Sequence, residues 1–443
     1  MIFPSKRRSN LKTSGRRIVL WMMLGGIFAF PSSPRAQTET QPEPTPQSPD
    51  SVKILRQQYS GKKTWEHWVS LPGTIISIPF VALFKGVEYS AGYIYESKLV
   101  PRTLDLLTSR DGKRQLYPTY SNRSGLGVEY THKGLIGSRS RLSLRAAHGF
   151  FTQRQHYRFR WRRVHFSESN PLFLNFQLNY RFLPQEKFYG IGQDTKRSEV
   201  SGYDRELSVA SVGMEIPLAK SWSLFGLAHY EHDNIYQNSG DDYPSLQTVY
   251  SDAALAGLDT RVKIVQYQAG IAIDTRNRLG NPTSGGEMVF SGSYFQDAGG
   301  DDFNFWKAQG DVRQYLHLGH NRVLSVRLAL EVSEPVGDGQ IPFYYLSELG
   351  EVETIRGYDR GRFRDEDMAL ASLEYNIPLW YRIDSFLFAD AGQVAKDIGK
   401  EFNRERMRFG LGGGIKVRDS KDVIAILQVG VGRETVRVYL DLH

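Results

Sequence analysis

No cysteine occurs among the 443 residues. This excludes disulfides, thiolate metal sites, cysteine nucleophiles and a lipid anchor on an amino-terminal cysteine. Long apolar runs are missing as well. The one continuous stretch, Ile18 to Phe30, has 13 residues, whereas a membrane-spanning helix takes about 20. With a mean hydropathy of −0.42, a polytopic helical membrane protein is excluded. Catalytic signatures are scarce too. The sequence has no G-x-S-x-G elbow and no H-E-x-x-H pair, and Gly190-Ile191-Gly192 lacks the third glycine and the strand–helix setting of a nucleotide loop. The expectation is a protein that is not an enzyme, with no cofactor and no metal. A Ser/His lipid-hydrolysing pair drawing on His148 or His229 is the remaining enzymatic alternative.

Acidic residues are absent from one end. Residues 1–36 hold Lys6, Arg7, Arg8, Lys12, Arg16, Arg17 and Arg35 and no carboxylate, and removing these seven from the net +8 leaves +1 for the rest of the chain. A charge so placed does not describe a nucleic-acid surface, and no nucleic-acid partner is expected. Basic residues, then IVLWMMLGGIFAF, then PSSPRA give the three-part order of an export signal over 1–36. Pro34 sits where a small residue would favour cleavage. Residues 37–50, QTETQPEPTPQSPD, read as a disordered linker. The segment 51–112 crowds Trp65, Trp68, Ile75, Ile76, Phe80 and Phe84 together, broken by Pro72 and Pro79. Those prolines break any long helix. Short periplasmic or interfacial helices are expected there, packed on the main domain or lying at the membrane surface.

From about residue 113 the apolar period is two. Leu174, Phe176, Leu178, Tyr180 and Phe182 alternate with Asn175, Gln177, Asn179 and Arg181, and Val265 to Ile273 and Arg406 to Arg418 behave alike. Successive side chains of a strand point to opposite faces, so one face is apolar and the other polar. A soluble sandwich also alternates. Many strands of about ten residues with aromatic ends, behind an export signal, instead match an outer-membrane barrel. Sixteen spans run from 113–121 to 434–442, among them 172–183, 203–216 and 383–391. The expectation is an all-β, transmembrane antiparallel β-barrel of about 16 strands over 113–443, preceded by a short helical segment. Three long connections, 184–202, 237–260 and 333–365, belong on the outer side, with short turns inside.

The segment 349–365 reads LGEVETIRGYDRGRFRD, followed by MALASLEYNIPLW and SFLFADAGQV. This order resembles the carboxy-terminal barrel of the BamA/TamA superfamily, which includes two-partner secretion pores and bacterial surface antigen proteins. Ile355, Arg356, Gly357 and Tyr358 match the family's sixth-loop motif, Glu374 and Tyr375 the next strand, and Phe388, Asp390 and Gly392 the strand after. FYGIGQDT (188–195) and DTRNRLGNPTSG (274–285) also resemble family segments. The resemblance implies that Arg356 folds into the lumen and meets Glu374 and Asp390. Strand parity turns both carboxylates to the polar face, and a guanidinium suits bidentate pairing. Gly357 would let the chain turn beside the arginine. An exposed loop with a surface arginine is the plainer alternative. Family members that insert or secrete proteins generally carry POTRA modules. Residues 51–112 lack convincing strands for one, so a barrel without them is expected. The terminal aromatic residue usual for such barrels is replaced by Leu442-His443.

A basic row, Arg158, Arg160 and Arg162 with Arg141 and Arg145 on the strand before, is expected on the lumen wall. It reads either as a solvated wall or as an anion-favouring surface. The function expected is insertion or translocation of a polypeptide or lipid at the bacterial outer membrane, with a passive solute channel as alternative. Expected partners are outer-membrane lipid including lipopolysaccharide, and a polypeptide substrate or separate periplasmic protein.

Overall fold

The computed structural model describes residues 107–442 apart from 122–124, 151, 166–170, 252–253, 259–260, 301, 381 and 419–422. The expected export signal, the expected linker and nearly all of the segment expected to be helical lie outside the described residues. The described end of that segment, 107–112, is a turn that bridges Thr108 to Gln115.

Among the described residues, eighteen strands follow in chain order. They are β1 (Arg114–Ser121), β2 (Gly125–Lys133), β3 (Arg141–His148), β4 (Gln155–Val164), β5 (Phe173–Phe188), β6 (Ser201–Ala219), β7 (Trp222–Gln237), β8 (Val262–Asp274) and β9 (Gly285–Asp297). Next come β10 (Phe305–His317), β11 (Val323–Pro335), β12 (Ser347–Leu349), β13 (Phe363–Asp365) and β14 (Asp367–Trp380). The last are β15 (Ile383–Ala395), β16 (Arg408–Arg418), β17 (Val423–Gly432) and β18 (Val436–Leu442). All but β12 and β13 form one antiparallel barrel of sixteen strands in sequence order, while β12 and β13 pair only with each other. The fold is therefore the all-β barrel expected from the alternation, and each of the sixteen spans falls on a strand.

Closure is uneven. β1 pairs with β2 from Arg114 to Ser121, but among the described residues it meets β18 only at Tyr120–Leu442 and Ser121–Asp441. Outward positions form an apolar belt: Leu178, Val212, Met214, Leu411 and Val438 are each at least half exposed. Inward positions are polar and buried, such as Thr131, Ser143, Asn179 and Asp390.

Several strands run past the expected spans. β5 reaches Phe188 rather than 183, through a bulge between Leu183 and Glu186 where Gln185 has φ +56°. β6 starts at Ser201, and β15 reaches Ala395 rather than 391. The cause is burial on the lumen side. At the end of the barrel bearing the long loops, Phe188, Tyr203, Val262, Ile264, Phe295 and Phe305 pack with Leu246, Leu258 and Phe343 into an apolar cluster. Strands that enter such a cluster lose the polar half of their alternation.

Candidate functional site

The connection between β11 and β14, residues 336–366, turns into the lumen. β12 and β13 zip together at Ser347–Asp365, Glu348–Arg364 and Leu349–Phe363, leaving 350–362 as the tip. The hairpin buries Leu349, Ile355, Tyr358 and Phe363 against Ala329, Met368, Leu370 and Val394 of the wall. Burial of these side chains contributes on the order of 1.5–3 kcal/mol each, which favours the hairpin inside the lumen.

Arg356 sits at the turn of the tip. Its Nε and Nη2 donate to Asp390 Oδ2 and Oδ1, both at 2.8 Å. Nη1 donates to Glu374 Oε2 at 3.0 Å and to Gln428 Oε1 at 3.4 Å, and Nη2 also reaches Ser372 Oγ at 3.3 Å. These bonds match the five N–H groups of a guanidinium. The backbone N–H of Arg356 adds a further bond to Asp390 Oδ2 at 3.0 Å, and the Phe388 ring centroid lies 3.5 Å from Arg356 Cζ. Lys416 donates to Glu374 from the other side. Two cations thus face two carboxylates, so the buried cluster is neutral as a whole.

The wall is shaped for this turn. Cross-strand register aligns Ser372, Asp390, Gly410 and Gly432 in one row, and Glu374, Phe388, Gly412 and Gly430 in the next. Carboxylates occupy the β14–β15 half of each row and glycines the β16–β17 half. A Cβ on Gly410 would stand 2.0 Å from Arg356 O, and one on Gly430 would stand 2.6 Å from Gly357 N. Gly357 itself has φ +95°, and a Cβ there would meet Gly432 N at 2.4 Å. The backbones of loop and wall therefore touch, which glycine interiors in a strand permit. Gly392 lies under Ile355 and Leu349, where a Cβ would meet each Cδ1 at 3.0 Å. Tyr358 is 2% exposed; its hydroxyl donates to Phe409 O and accepts from Arg433 N, both at 3.1 Å.

The loop also grips β18 and its neighbours. Gly357 N–H donates to Tyr439 Oη at 3.1 Å, Thr435 Oγ1 donates to Gly357 O, and Arg437 pairs with Asp359. Arg362, 1% exposed, donates from Nε and Nη2 to the two oxygens of Glu434 at 2.7 and 2.8 Å. The same guanidinium reaches Thr195 Oγ1 at 2.8 Å and Thr195 O at 2.6 Å. Arg360 faces Glu186, Glu348 and Glu351; burial would lower its pKa, but these three carboxylates push it up. Arg362 is buried while Glu434 is partly exposed, so losing Arg362 costs about 1.5–3 kcal/mol in hydrogen bonds to a charged group. Arg362→Ala is accordingly expected to lower the temperature at which the folded band disappears in unboiled electrophoresis, and an unchanged temperature would count against the clamp.

Every residue of the sequence-derived loop set, Arg356, Gly357, Tyr358, Glu374, Asp390 and Gly392, lies in this one cluster. The row Arg141, Arg145, Arg158, Arg160 and Arg162 lies apart from it, on the lumen face of β3 and β4. Sequence reading missed Ser372, Lys416, Gln428 and Tyr439, which strand parity could have turned inward. It also missed Gly410, Gly430 and Gly432, whose density within strands was the available signal. Among the described residues no group of His, Asp or Glu is arranged to hold a metal.

A sixteen-stranded barrel with an apolar outer belt, a polar lumen and its longest loop pinned inside defines an outer-membrane protein of the inward-loop class. Residues 125–420, more than half of the chain, match the Omp85 superfamily domain. The chain belongs to the Omp85 superfamily. Among solved structures it is similar to BamA from Haemophilus ducreyi lacking POTRA domains 1–3, at TM-score 0.53 and 16% identity over 73% of this chain and 68% of that one. It is also similar to CdiB from Escherichia coli, at TM-score 0.50 and 10% identity over 73% and 61%. At such identities the likeness is one of fold. No curated protein matches the sequence.

Proposed function

We propose that this barrel assists insertion or translocation of a polypeptide or lipid at the bacterial outer membrane, through the junction of β1 and β18. The observation that carries the reading is the asymmetry of that junction. β18 is held from the lumen side by Asp359 and Gly357 of the loop, while its described pairing to β1 is two residue pairs. A passive solute channel is supported less, because the loop packs against the inner wall at the long-loop end. On this reading residues 1–36 are an export signal. The outer belt meets lipid and lipopolysaccharide, and a separate periplasmic protein delivers the substrate. In the same reading the Arg356 cluster locks the loop and so fixes the β18 side of the junction.

The absence of cysteine makes the test clean. Tyr120→Cys with Leu442→Cys places two thiols at directly paired positions, within reach of a disulfide. Oxidised cells are expected to lose a subset of outer-membrane proteins or lipids, as in depletion of the protein, and reduction is expected to restore them. Full function with the junction cross-linked would overturn the reading.

A further inference from the structure

The lumen face of β2 to β5 carries a charge pattern unlike the rest of the barrel. Register sets Arg141 directly opposite Arg162 and Arg145 directly opposite Arg158. Arg160 lies opposite Ser143, and Arg181 opposite His156. Residues directly opposite project to the same face, so six guanidinium groups share one surface. Glu129, opposite Arg145, is the one carboxylate on this face of β2–β5 between two end pairs, Arg163–Glu215 and Arg154–Glu186, among the described residues.

Elsewhere in the lumen, cations come with their own carboxylates. Arg205 has Glu231 and Asp233, Arg276 has Asp274 and Glu287, and Arg327 has Asp311. On the β2–β5 face Glu129 accepts from Arg158 at 3.1 Å, and two further contacts are to carboxamides. Gln177 Oε1 accepts from Arg160 Nε at 3.0 Å, and Asn179 Oδ1 lies 2.9 Å from His156 Nε2. Arg158 Nε is buried and has no hydrogen-bond partner. Carboxamides orient these groups without neutralising them. Like charges directly opposite on a sheet are destabilising, so two Arg–Arg pairs on one face disfavour the empty barrel. A bound anion reverses the sign of that contribution.

We propose that this wall is a binding site for a ligand bearing two or more phosphate groups. One phosphate bridges Arg158 and Arg160, with Arg145 opposite; a second bridges Arg141 and Arg162 across the strands. Arginine fits this chemistry, because the planar fork takes phosphate oxygens two at a time; Lys133, directly opposite Arg141, adds one further cation at the edge of the face. Arg141 and Arg145 are four residues apart, roughly 13 Å at the rise of a strand, so the phosphates need not be adjacent. Both a free polyphosphate and a bisphosphorylated lipid headgroup meet these terms.

The test is calorimetric titration of the purified full-length barrel in neutral detergent. One arm uses inorganic tripolyphosphate; the other uses the deacylated, bisphosphorylated glucosamine disaccharide of a lipopolysaccharide headgroup. Binding in either arm, weakening as salt rises, is the expected result, and the arm that binds identifies the source. Arg160→Gln with Arg162→Gln, which leaves the Arg158–Glu129 pair intact, is expected to weaken binding at least tenfold. The same variant should unfold at a higher temperature than the wild type without ligand and gain less from ligand. Arg327→Gln, in a balanced cluster, serves as control and should bind as wild type does. No binding in either arm, equal binding by the double variant, or equal loss in the control would overturn the proposal.

Discussion

Arg356→Ala is expected to release residues 350–362 from the wall and open Arg360 and Arg362 to trypsin in barrels that remain folded. The substitution removes a guanidinium that satisfies both oxygens of Asp390, whose side chain is fully buried. Glu374 keeps Lys416 and Asn376, so the uncompensated charge falls on Asp390. Breaking such a pair from one side costs about 3–5 kcal/mol, a shift of more than a hundredfold in the seated fraction. The apolar contacts of Ile355 and Phe363 oppose release and keep the effect local. Arg356→Lys should rescue only part of the protection, since an ammonium cannot address Asp390, Glu374, Gln428 and Ser372 in one plane. Trypsin resistance and planar-bilayer conductance both unchanged in Arg356→Ala would remove the lock from the proposed function.

The barrel itself was legible in the sequence because a lipid-facing strand has one simple rule, alternation, and the rule held in most spans between the lipid belt's edges, β15 with its inward Phe386 and Phe388 being an exception. It failed where the strands leave the belt. Phe188, Tyr203 and Phe305 are inward and apolar, so their segments carry no polar counterpart and the expected spans 172–183 and 203–216 stopped short. The carboxylates of the site were legible through parity: Glu374 and Asp390 interrupt apolar neighbours and therefore face in. Their pairing with Arg356 was not, since nothing in the spacing of a loop says which wall it folds onto, and that step rested on resemblance. Arg362 shows the limit more sharply. It lies six residues from Arg356 in the same arginine-rich stretch, yet it pairs with Glu434 and Thr195, in two other connections. No local pattern marks those partners.

Gly410→Ala is expected to unseat the loop as fully as Arg356→Ala while leaving every charge in place. Gly410 lies directly opposite Asp390 on one side and Gly432 on the other. A methyl group there would stand 2.0 Å from Arg356 O and 3.1 Å from Ile355 Cγ2. The nearer atom is backbone, in the turn that holds Gly357 at φ +95°, so it cannot yield by changing a rotamer. Overpacking of this kind costs about 1–3 kcal/mol, and moving the turn outward also lengthens both Arg356–Asp390 bonds. Shape and charge therefore act on one event, the seating of the turn. Their effects should not add: Arg356→Ala with Gly410→Ala should be cleaved by trypsin no faster than the worse single variant. Gly292→Ala is the matched control, because a Cβ there has nothing within 4 Å, and it should leave cleavage unchanged. A Gly410→Ala barrel as resistant as wild type would mean that the wall accommodates the side chain, and the glycine rows would then owe their composition to something other than the loop.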